Sequence, residues 1–129
     1  MFLYELNRAQ KEAFICLCHD VVVSDGDLTP DEQQMMDTLR REIGLDENFE
    51  PHYIPVDGIN EIFDTRRSRV AVVINLIRLG YADGAFEVEE QMLVKQVYKL
   101  FELTENDFRL IENWVRRLVA LEKEALALM

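Results

Sequence analysis

Cysteine and histidine are scarce in this sequence, and neither residue type is arranged for chemistry. The 129 residues include two cysteines and two histidines. Cys16 and Cys18 lie two positions apart in a segment that we predict to be helical, where side chains at that spacing point in different directions, so we expect no disulfide between them. His19 and His52 lack a second histidine at metal-ligand spacing, and we interpret both as surface or packing residues.

The sequence also lacks the signatures of covalent and phosphate chemistry. It contains no glycine-rich phosphate loop, no nucleophile elbow and no Cys/His pair that suggests covalent catalysis. A hydrolase or transferase therefore has no support, and we predict that the protein is not an enzyme. A metal-dependent enzyme remains a third alternative, because carboxylate clusters can hold catalytic Mg²⁺.

The sequence also lacks long apolar runs, and its positive charges are outnumbered by negative ones. The longest largely apolar stretch, residues 70–77, ends at Arg78 and is too short to span a bilayer. The 14 Lys and Arg residues face 25 Asp and Glu residues, for a net charge of −11. Such a surface repels phosphate backbones and anionic lipids, so we expect no nucleic-acid or membrane partner. Residues 1–4 are followed at once by charged Glu5 and then by Arg8, without a secretory pattern, and we predict a cytoplasmic protein.

Helical signals dominate what the sequence does contain. Apolar residues recur at three- and four-residue steps over residues 4–23, which predicts the first helix. A second helix has an explicit start, with Thr29 as N-cap, Pro30 at its first position and Glu32 completing a capping box. Gly44 is placed to end this helix in the left-handed conformation.

The rest of the chain continues the helical pattern after a central loop. Residues 46–58 contain Pro51, Pro55 and Gly58 and show little periodicity, so they are predicted to be mostly loop. Helices are expected at about 57–63, 65–81, 87–102 and from 104 or 105 to near residue 129. Strand signals are weak, so we predict an all-α fold, a compact bundle of about six or seven helices in a single domain over residues 1–129.

An internal repeat organises this domain. Residues 24–35, SDGDLTPDEQQM, align without gaps onto residues 82–93, ADGAFEVEEQML, at an offset of 58 positions. The same offset places Leu45 on Leu103. We therefore predict two pseudo-repeated helical halves, the first over about residues 4–50 and the second over about 58–129, joined by a linker at about 51–57.

Each copy of the repeat carries the pattern Asp-Gly-x-(Leu/Phe)-x-x-x-Glu. The spacing from Asp to Gly to Glu suits the second half of an EF-hand calcium loop, in which Gly allows a sharp turn and the last Glu chelates the ion. The first half of such a loop is absent, because its ligand positions fall on Val21 and Val23 in one copy and on Leu79 and Tyr81 in the other. Any ion therefore needs ligands pooled from both copies, or from carbonyls and water.

Carboxylates are concentrated at the two turns and at the helix starts behind them. Hard oxygen ligands favour Ca²⁺ or Mg²⁺ over zinc or copper. The first-choice ligands and the additional carboxylates are, in that order, Asp25, Glu32, Asp83, Glu90, Asp27, Asp31, Glu87 and Glu89. A local explanation stands beside this one, because acidic residues in a first helical turn stabilise the helix dipole by roughly 0.3–1 kcal/mol each without any ion.

Two further features have a structural and a functional interpretation. Arg66, Arg67 and Arg69 form the only basic cluster, which we interpret as a solvated helix start, with docking of an acidic partner as the alternative. The last helix has an apolar stripe that broadens toward the end, where residues 120–129 are apolar on more than one side. We expect this end to close the core, and the alternative is a face for a partner or for self-association.

The duplicated Asp-Gly motif at a helical hairpin, in an acidic all-helical chain of this size, resembles the TerB-like tellurite-resistance family. The resemblance covers essentially the whole chain and is tightest at residues 22–36 and 80–94. It implies two pseudo-repeated helical parts with acidic residues that bind a divalent metal near the turns, in a family with relatives in stress-response proteins and DnaJ-type co-chaperones. Residue by residue, it implies ligands at Asp25, Glu32, Asp83 and Glu90, with turn glycines at Gly26 and Gly84.

The two copies are not equivalent. Asp27 of the first corresponds to Ala85 of the second, and Thr29 corresponds to Glu87. The leading hypothesis is a non-enzymatic module that binds Ca²⁺ or Mg²⁺ at the paired turns in a stress or tellurite-resistance response. The alternative is a protein-interaction adaptor that uses the acidic patch or the C-terminal helix without metal, either toward another protein or toward a second copy in a homodimer.

Overall fold

A computed structural model describes residues 1–24, 26, 28–46, 48–82 and 86–129, and this part of the chain is all-helical without a strand. The helices, in chain order, are α1 (Arg8–Val23), α2 (Pro30–Ile43), α3 (Ile59–Ile62), α4 (Arg66–Gly80), α5 (Val88–Leu100) and α6 (Glu105–Leu128), with a 3₁₀ turn at Val56–Gly58 before α3. The predicted all-α bundle is confirmed.

The first helix begins later than the sequence predicts. A start at about residue 4 is wrong, because Asn7 forms a capping box with Gln10: Asn7 Oδ1 accepts the N–H of Gln10 at 2.9 Å, and Gln10 Oε1 accepts the N–H of Asn7 at 3.0 Å. Residues before Asn7 do not continue the helix and instead bury Leu3 and Leu6 in the core. Their apolar spacing therefore reflects core packing outside the helix.

The start and end of α2 are as predicted. Thr29 is the N-cap and Pro30 follows it, while Gly44 ends the helix with φ +68°. At this φ a side chain is strained, which is the physical reason for glycine here. Similar agreement holds for α4 and α6, which begin directly after the N-caps Thr65 and Thr104.

Helix boundaries in the two halves coincide at the offset found in the sequence. The N-caps Asn7 and Thr65 are 58 positions apart, and so are Thr29 and Glu87. The ends coincide too, since Glu102, 58 positions after Gly44, also has a positive φ of +62°. These coincidences support the predicted internal repeat, which remains a prediction.

Helices α1 and α4 form the centre of the bundle. Helix α4 packs against α1, α2, α5 and α6, and α1 packs in addition against α2, α3 and α5. In the predicted loop at residues 46–58, Phe49 packs against this core, and its carbonyl oxygen accepts a hydrogen bond from Arg40 Nη2 of α2. The largest fully buried side chains include Phe14, Leu17, Phe63, Leu76, Leu79 and Phe101.

The basic cluster at the start of α4 is more structural than predicted. Arg69 donates three hydrogen bonds to carbonyl oxygens, from Nε to Phe63 at 2.6 Å, from Nη2 to Asn60 at 2.8 Å and from Nη1 to Phe101 at 3.2 Å. Arg66 pairs with Asp107 at 3.1 Å. The cluster therefore joins α3, α4, α5 and α6, whereas the sequence suggested a solvated turn.

The end of α6 extends past the bundle. Phe108 and Val115 are buried against the core, as the apolar stripe predicts, but residues 120–129 are all exposed, including Leu128 at 88%. Core closure by this end is therefore wrong, because the 24-residue α6 is much longer than the 15-residue α4 on which it packs. Within the described segments, no helix is both long and apolar enough to cross a bilayer.

Candidate functional site

The first Asp-Gly turn connects α1 to α2. Ser24 Oγ donates to the carbonyl oxygen of Val21 at 2.7 Å, and the Gly26 N–H donates to the carbonyl oxygen of Val23 at 3.0 Å. Gly26 has φ +93°, a conformation that L side chains rarely adopt, so the glycine of the motif is required by the backbone. Asp25 and Asp27, two of the predicted ligands, lie outside the described residues.

Glu32 is the predicted ligand with the most unusual environment. Its side chain is 0% exposed. Oε1 accepts the N–H of Thr29 at 3.0 Å, and the Thr29 hydroxyl oxygen accepts the N–H of Glu32 at 3.1 Å, so the predicted capping box is present. Oε2 is buried and has no hydrogen-bond partner among the described residues. A buried carboxylate that is only half satisfied is costly unless a positive charge compensates it.

The second turn, between α4 and α5, ends in a similar helix start. Glu90 is also 0% exposed, and its Oε1 accepts the N–H of Glu87 at 3.0 Å. Gln91 Nε2 donates to the carbonyl oxygen of Phe86 at 2.6 Å and holds the residue that precedes the cap. Asp83 and Gly84 lie outside the described residues, so the predicted ligand Asp83 cannot be placed beside Glu90.

The remaining predicted ligands are exposed. Asp31, Glu87 and Glu89 lie at the N-terminal ends of α2 and α5, where their charges stabilise the helix dipole. In residues 1–24, 26, 28–46, 48–82 and 86–129, no three Asp, Glu, His or Cys side chains are grouped closely enough to hold a metal ion. The pooled site predicted from the sequence therefore depends on Asp25, Asp27 and Asp83.

Gly80 and Phe86, on either side of the second turn along the chain, pack against each other, and no sequence pattern had selected Gly80. A Cβ atom on Gly80 would lie 2.5 Å from Cδ1 of Phe86, so the ring of Phe86 packs directly on the backbone of α4. Tyr81 contacts the same ring, with centroids 5.3 Å apart. The apolar residue of the Asp-Gly motif thus ties the turn to the end of the preceding helix.

A polar network connects this end of α4 to α6. Arg116 Nε donates to the hydroxyl oxygen of Tyr81 at 3.0 Å, and this hydroxyl donates to Glu112 Oε1 at 3.3 Å. Arg78 Nη2 pairs with Glu122 at 3.0 Å, although Arg78 itself is mostly buried. These contacts hold α6 against the C-terminal end of α4. They could not be found from the sequence, because their members are 31 to 44 positions apart.

Residues 53–113 match the family model of the tellurite resistance protein TerB. This segment is TerB-like. It includes α3, α4 and α5, the second Asp-Gly turn and residues 105–113 of α6. No curated protein and no solved structure matched the chain significantly. The resemblance inferred from the duplicated motif is thereby confirmed in the TerB-like segment, which contains Gly80, Phe86 and Glu90.

Proposed function

We propose that this chain is a non-enzymatic, tellurite-resistance-type module that binds Ca²⁺ or Mg²⁺ at its Asp-Gly turns. The TerB match supports the type of module. The observation that supports cation binding is the environment of Glu32, whose Oε2 is buried without a hydrogen-bond partner among the described residues. A carboxylate oxygen in this state is a ready ligand for a hard cation, which would supply the missing positive charge.

Position in the chain supports the same assignment. Glu32 follows the Asp25-Gly26-Asp27 turn and begins α2, so any ion bound at that turn approaches the N-terminal end of this helix. Glu90 has the same place behind the second turn and the same burial. Capping explains one oxygen of Glu32, but a cap needs neither complete burial nor a second oxygen left unsatisfied. The proposed ligands remain the carboxylates of the turns together with Glu32 and Glu90.

The two turns should contribute unequally. The first turn offers Asp25 and Asp27, whereas the second offers Asp83 and has Ala85 at the other position. Mg²⁺ demands six well-placed ligands and retains several waters, while Ca²⁺ accepts more oxygen ligands in a looser geometry. We propose that the protein acts in the cytoplasm, in a stress or tellurite-resistance response.

A thermal melt of chelator-stripped protein tests the proposal. Cation at about 100 times its dissociation constant stabilises a folded protein by roughly 2.7 kcal/mol, which corresponds to a rise in Tm of about 10 °C for a domain of this size. We expect this rise in the parent and its loss in Asp25→Ala/Asp83→Ala. Glu32→Gln should keep the cap through its amide oxygen, lose most of the cation response, and melt no lower than the parent in chelator.

The matched control removes one negative charge elsewhere. Glu61 is exposed on α3 and forms no ion pair in the described structure, so Glu61→Gln should respond to cation like the parent. An equal response of Glu32→Gln and the parent would contradict the role of Glu32. A rise in Tm that grows linearly with cation in every variant would indicate screening of the net charge and not a site.

The exposed end of α6 favours one alternative function, a protein-interaction adaptor. Leu121 and Leu128 are 60% and 88% exposed, and exposed leucines at the end of an amphipathic helix are typical of a docking face. An adaptor would bind its protein partner equally well with and without chelator, through this face or through the acidic patch. Loss of that binding in Leu121→Asp or Leu128→Asp, with a flat cation response in the parent, would favour the adaptor.

A further inference from the structure

We infer that α6 forms an antiparallel homodimer through a second stripe of side chains, separate from the face that it buries in its own bundle. At 100° per residue, six positions of α6 from residue 110 onward fall within 40° of one direction. These positions are Leu110, Trp114, Arg117, Leu121, Glu124 and Leu128. We call them the α6 stripe, and the proposal goes beyond the cation site because it needs no ion.

The α6 stripe is accessible over its whole length. Leu110 and Leu121 are each 60% exposed, Leu128 is 88% exposed, and Trp114 is half-buried. The core-facing residues Phe108 and Val115 lie about 140° or more around the helix from Leu110, at 100° per residue, so the α6 stripe is centred on the opposite side of the helix. Trp114, at the edge of the stripe, also packs partly against the core. The positions of the stripe follow one another at three- and four-residue steps, and four of the six hold Leu or Trp, which is typical of a helix that packs against another helix.

Two charges on the α6 stripe indicate that the other helix is a second copy. Arg117 has Asn113, Trp114, Ala120 and Leu121 at its neighbouring helical positions and so has no acidic partner on its own helix. Glu124 has only alanine and leucine at the corresponding positions, and neither charge forms an ion pair in the described structure. Arg117 of one copy and Glu124 of a second copy can therefore form the ion pair that each lacks within a single chain.

An antiparallel pair of α6 helices joins these charges. A two-fold axis that crosses the stripe at the level of residue 119 along the helix sets Leu110 of one copy opposite Leu128 of the other and Leu121 opposite Arg117. Arg117 then lies within one helical turn of Glu124 of the second copy, and two-fold symmetry forms this pair twice. The chain as a whole has a net charge of −11, but α6 has four basic and five acidic residues. Two α6 helices can therefore pack together without strong charge repulsion.

The structure also contains an apolar groove that can accept the exposed C-terminal end of α6 from a second copy. This groove of about 370 Å³ is lined by Phe2, Ile74, Leu110, Ile111 and Trp114. In the antiparallel pair this groove lies next to Leu128 of the second copy, and the same contact is repeated at the other end of the dimer. The exposed leucine and the apolar groove thereby cover each other, which explains why one chain carries both.

Light scattering on a size-exclusion column gives the first test. The chain mass is 15.1 kDa, and we expect the parent to elute with twice this mass in chelator, since no ion is required. Leu121→Asp should elute as a monomer with unchanged helicity, because Leu121 is exposed within one copy. Met92→Asp is the matched control, since Met92 is 59% exposed on α5 and lies outside the α6 stripe, and this variant should remain dimeric.

Charge exchange and cross-linking test the register. Arg117→Glu and Glu124→Arg should each weaken the dimer, and the double exchange should restore it. Leu110→Cys/Leu128→Cys should form a disulfide-linked dimer on oxidation, because these positions are about 27 Å apart within one helix and adjacent only between antiparallel copies. The buried native cysteines should not interfere.

Three results would overturn the proposal. A parent that is monomeric into the high micromolar range has no such dimer. Cross-linking of Leu128→Cys alone would indicate a parallel pair, since antiparallel copies keep these two positions far apart. A dimer that survives Leu121→Asp would place the interface elsewhere. None of these outcomes bears on the cation response of Glu32, so the two proposals fail separately.

Discussion

Gly80 is the residue at which the second turn is most sensitive to a small change. A Cβ atom there meets the ring of Phe86 at 2.5 Å, and that ring is itself enclosed by Tyr81. We expect Gly80→Ala to lower the free energy of unfolding by about 1–2 kcal/mol, because overpacking exceeds the gain in helix propensity. Gly58→Ala is the control, since nothing lies within 4 Å of its Cβ position. Equal stability of the two variants in urea titrations would contradict this packing.

The two cysteines should be inert in the folded protein. Cys16 is 1% exposed and Cys18 is 0% exposed, and burial raises the pKa of both thiols, that of Cys18 well above its ordinary value. The thiolate is the reactive form, so raising the pH should accelerate labelling much less than it does for a free thiol. We expect mass spectrometry to show no maleimide adduct on native protein and two adducts in guanidinium. Rapid labelling of native protein would contradict the burial.

Residue patterns in the sequence predicted contacts within one helix turn but not burial. The capping box of Thr29 and Glu32 follows from their three-residue spacing and is present. That Glu32 is completely buried depends on neighbouring helices, which no local pattern specifies. For the same reason Gly80 was missed, because its importance arises from Phe86 across the turn. The ligand positions Asp25, Asp27 and Asp83 lie outside the described residues, so that part of the site stays a prediction.

Among the elements, the junction of α3, α4 and α5 depends on Arg69. Its guanidinium group donates to three carbonyl oxygens and lies 5.8 Å from the ring centroid of Phe101. We expect Arg69→Met to cost about 2–3 kcal/mol, since hydrogen bonds from a charged group are lost and the carbonyl oxygens remain poorly satisfied. Arg66→Met should cost less than about 1 kcal/mol, because its ion pair with Asp107 is largely exposed. Similar losses for both variants in denaturant titrations would contradict this difference.

Four helix ends with recognisable cap residues were predicted well, whereas the start of α1 and the end of α6 were not. Thr29, Gly44, Thr65 and Thr104 carry start or stop chemistry that acts locally, and the helices begin or end there. The start of α1 was placed too early, because the apolar residues before Asn7 mimic helical periodicity while packing in the core. The end of α6 was assigned to the core because a stripe shows which side is apolar, but not how far the neighbouring helices extend.

For the whole molecule, the duplicated Asp-Gly motif predicted the fold more securely than the activity. The offset of 58 positions also separates the N-caps Asn7 and Thr65, and Thr29 and Glu87, while the internal repeat itself stays a prediction. The relative placement of the two turns depends on how α1 and α4 pack, which the motif does not encode. The stoichiometry of ion binding therefore distinguishes one ion shared by the turns from two separate ions.

Isothermal titration calorimetry of chelator-stripped protein with Ca²⁺ and with Mg²⁺ tests the cation site most directly. We expect saturable heat in the parent, with a stoichiometry of one ion per chain if the turns share it and two if they do not. The same titration of Glu32→Gln should show much weaker binding, while Glu61→Gln should match the parent. Saturable binding that is unchanged in Glu32→Gln, or no saturable heat from either ion in the parent, would contradict a cation site at the Asp-Gly turns.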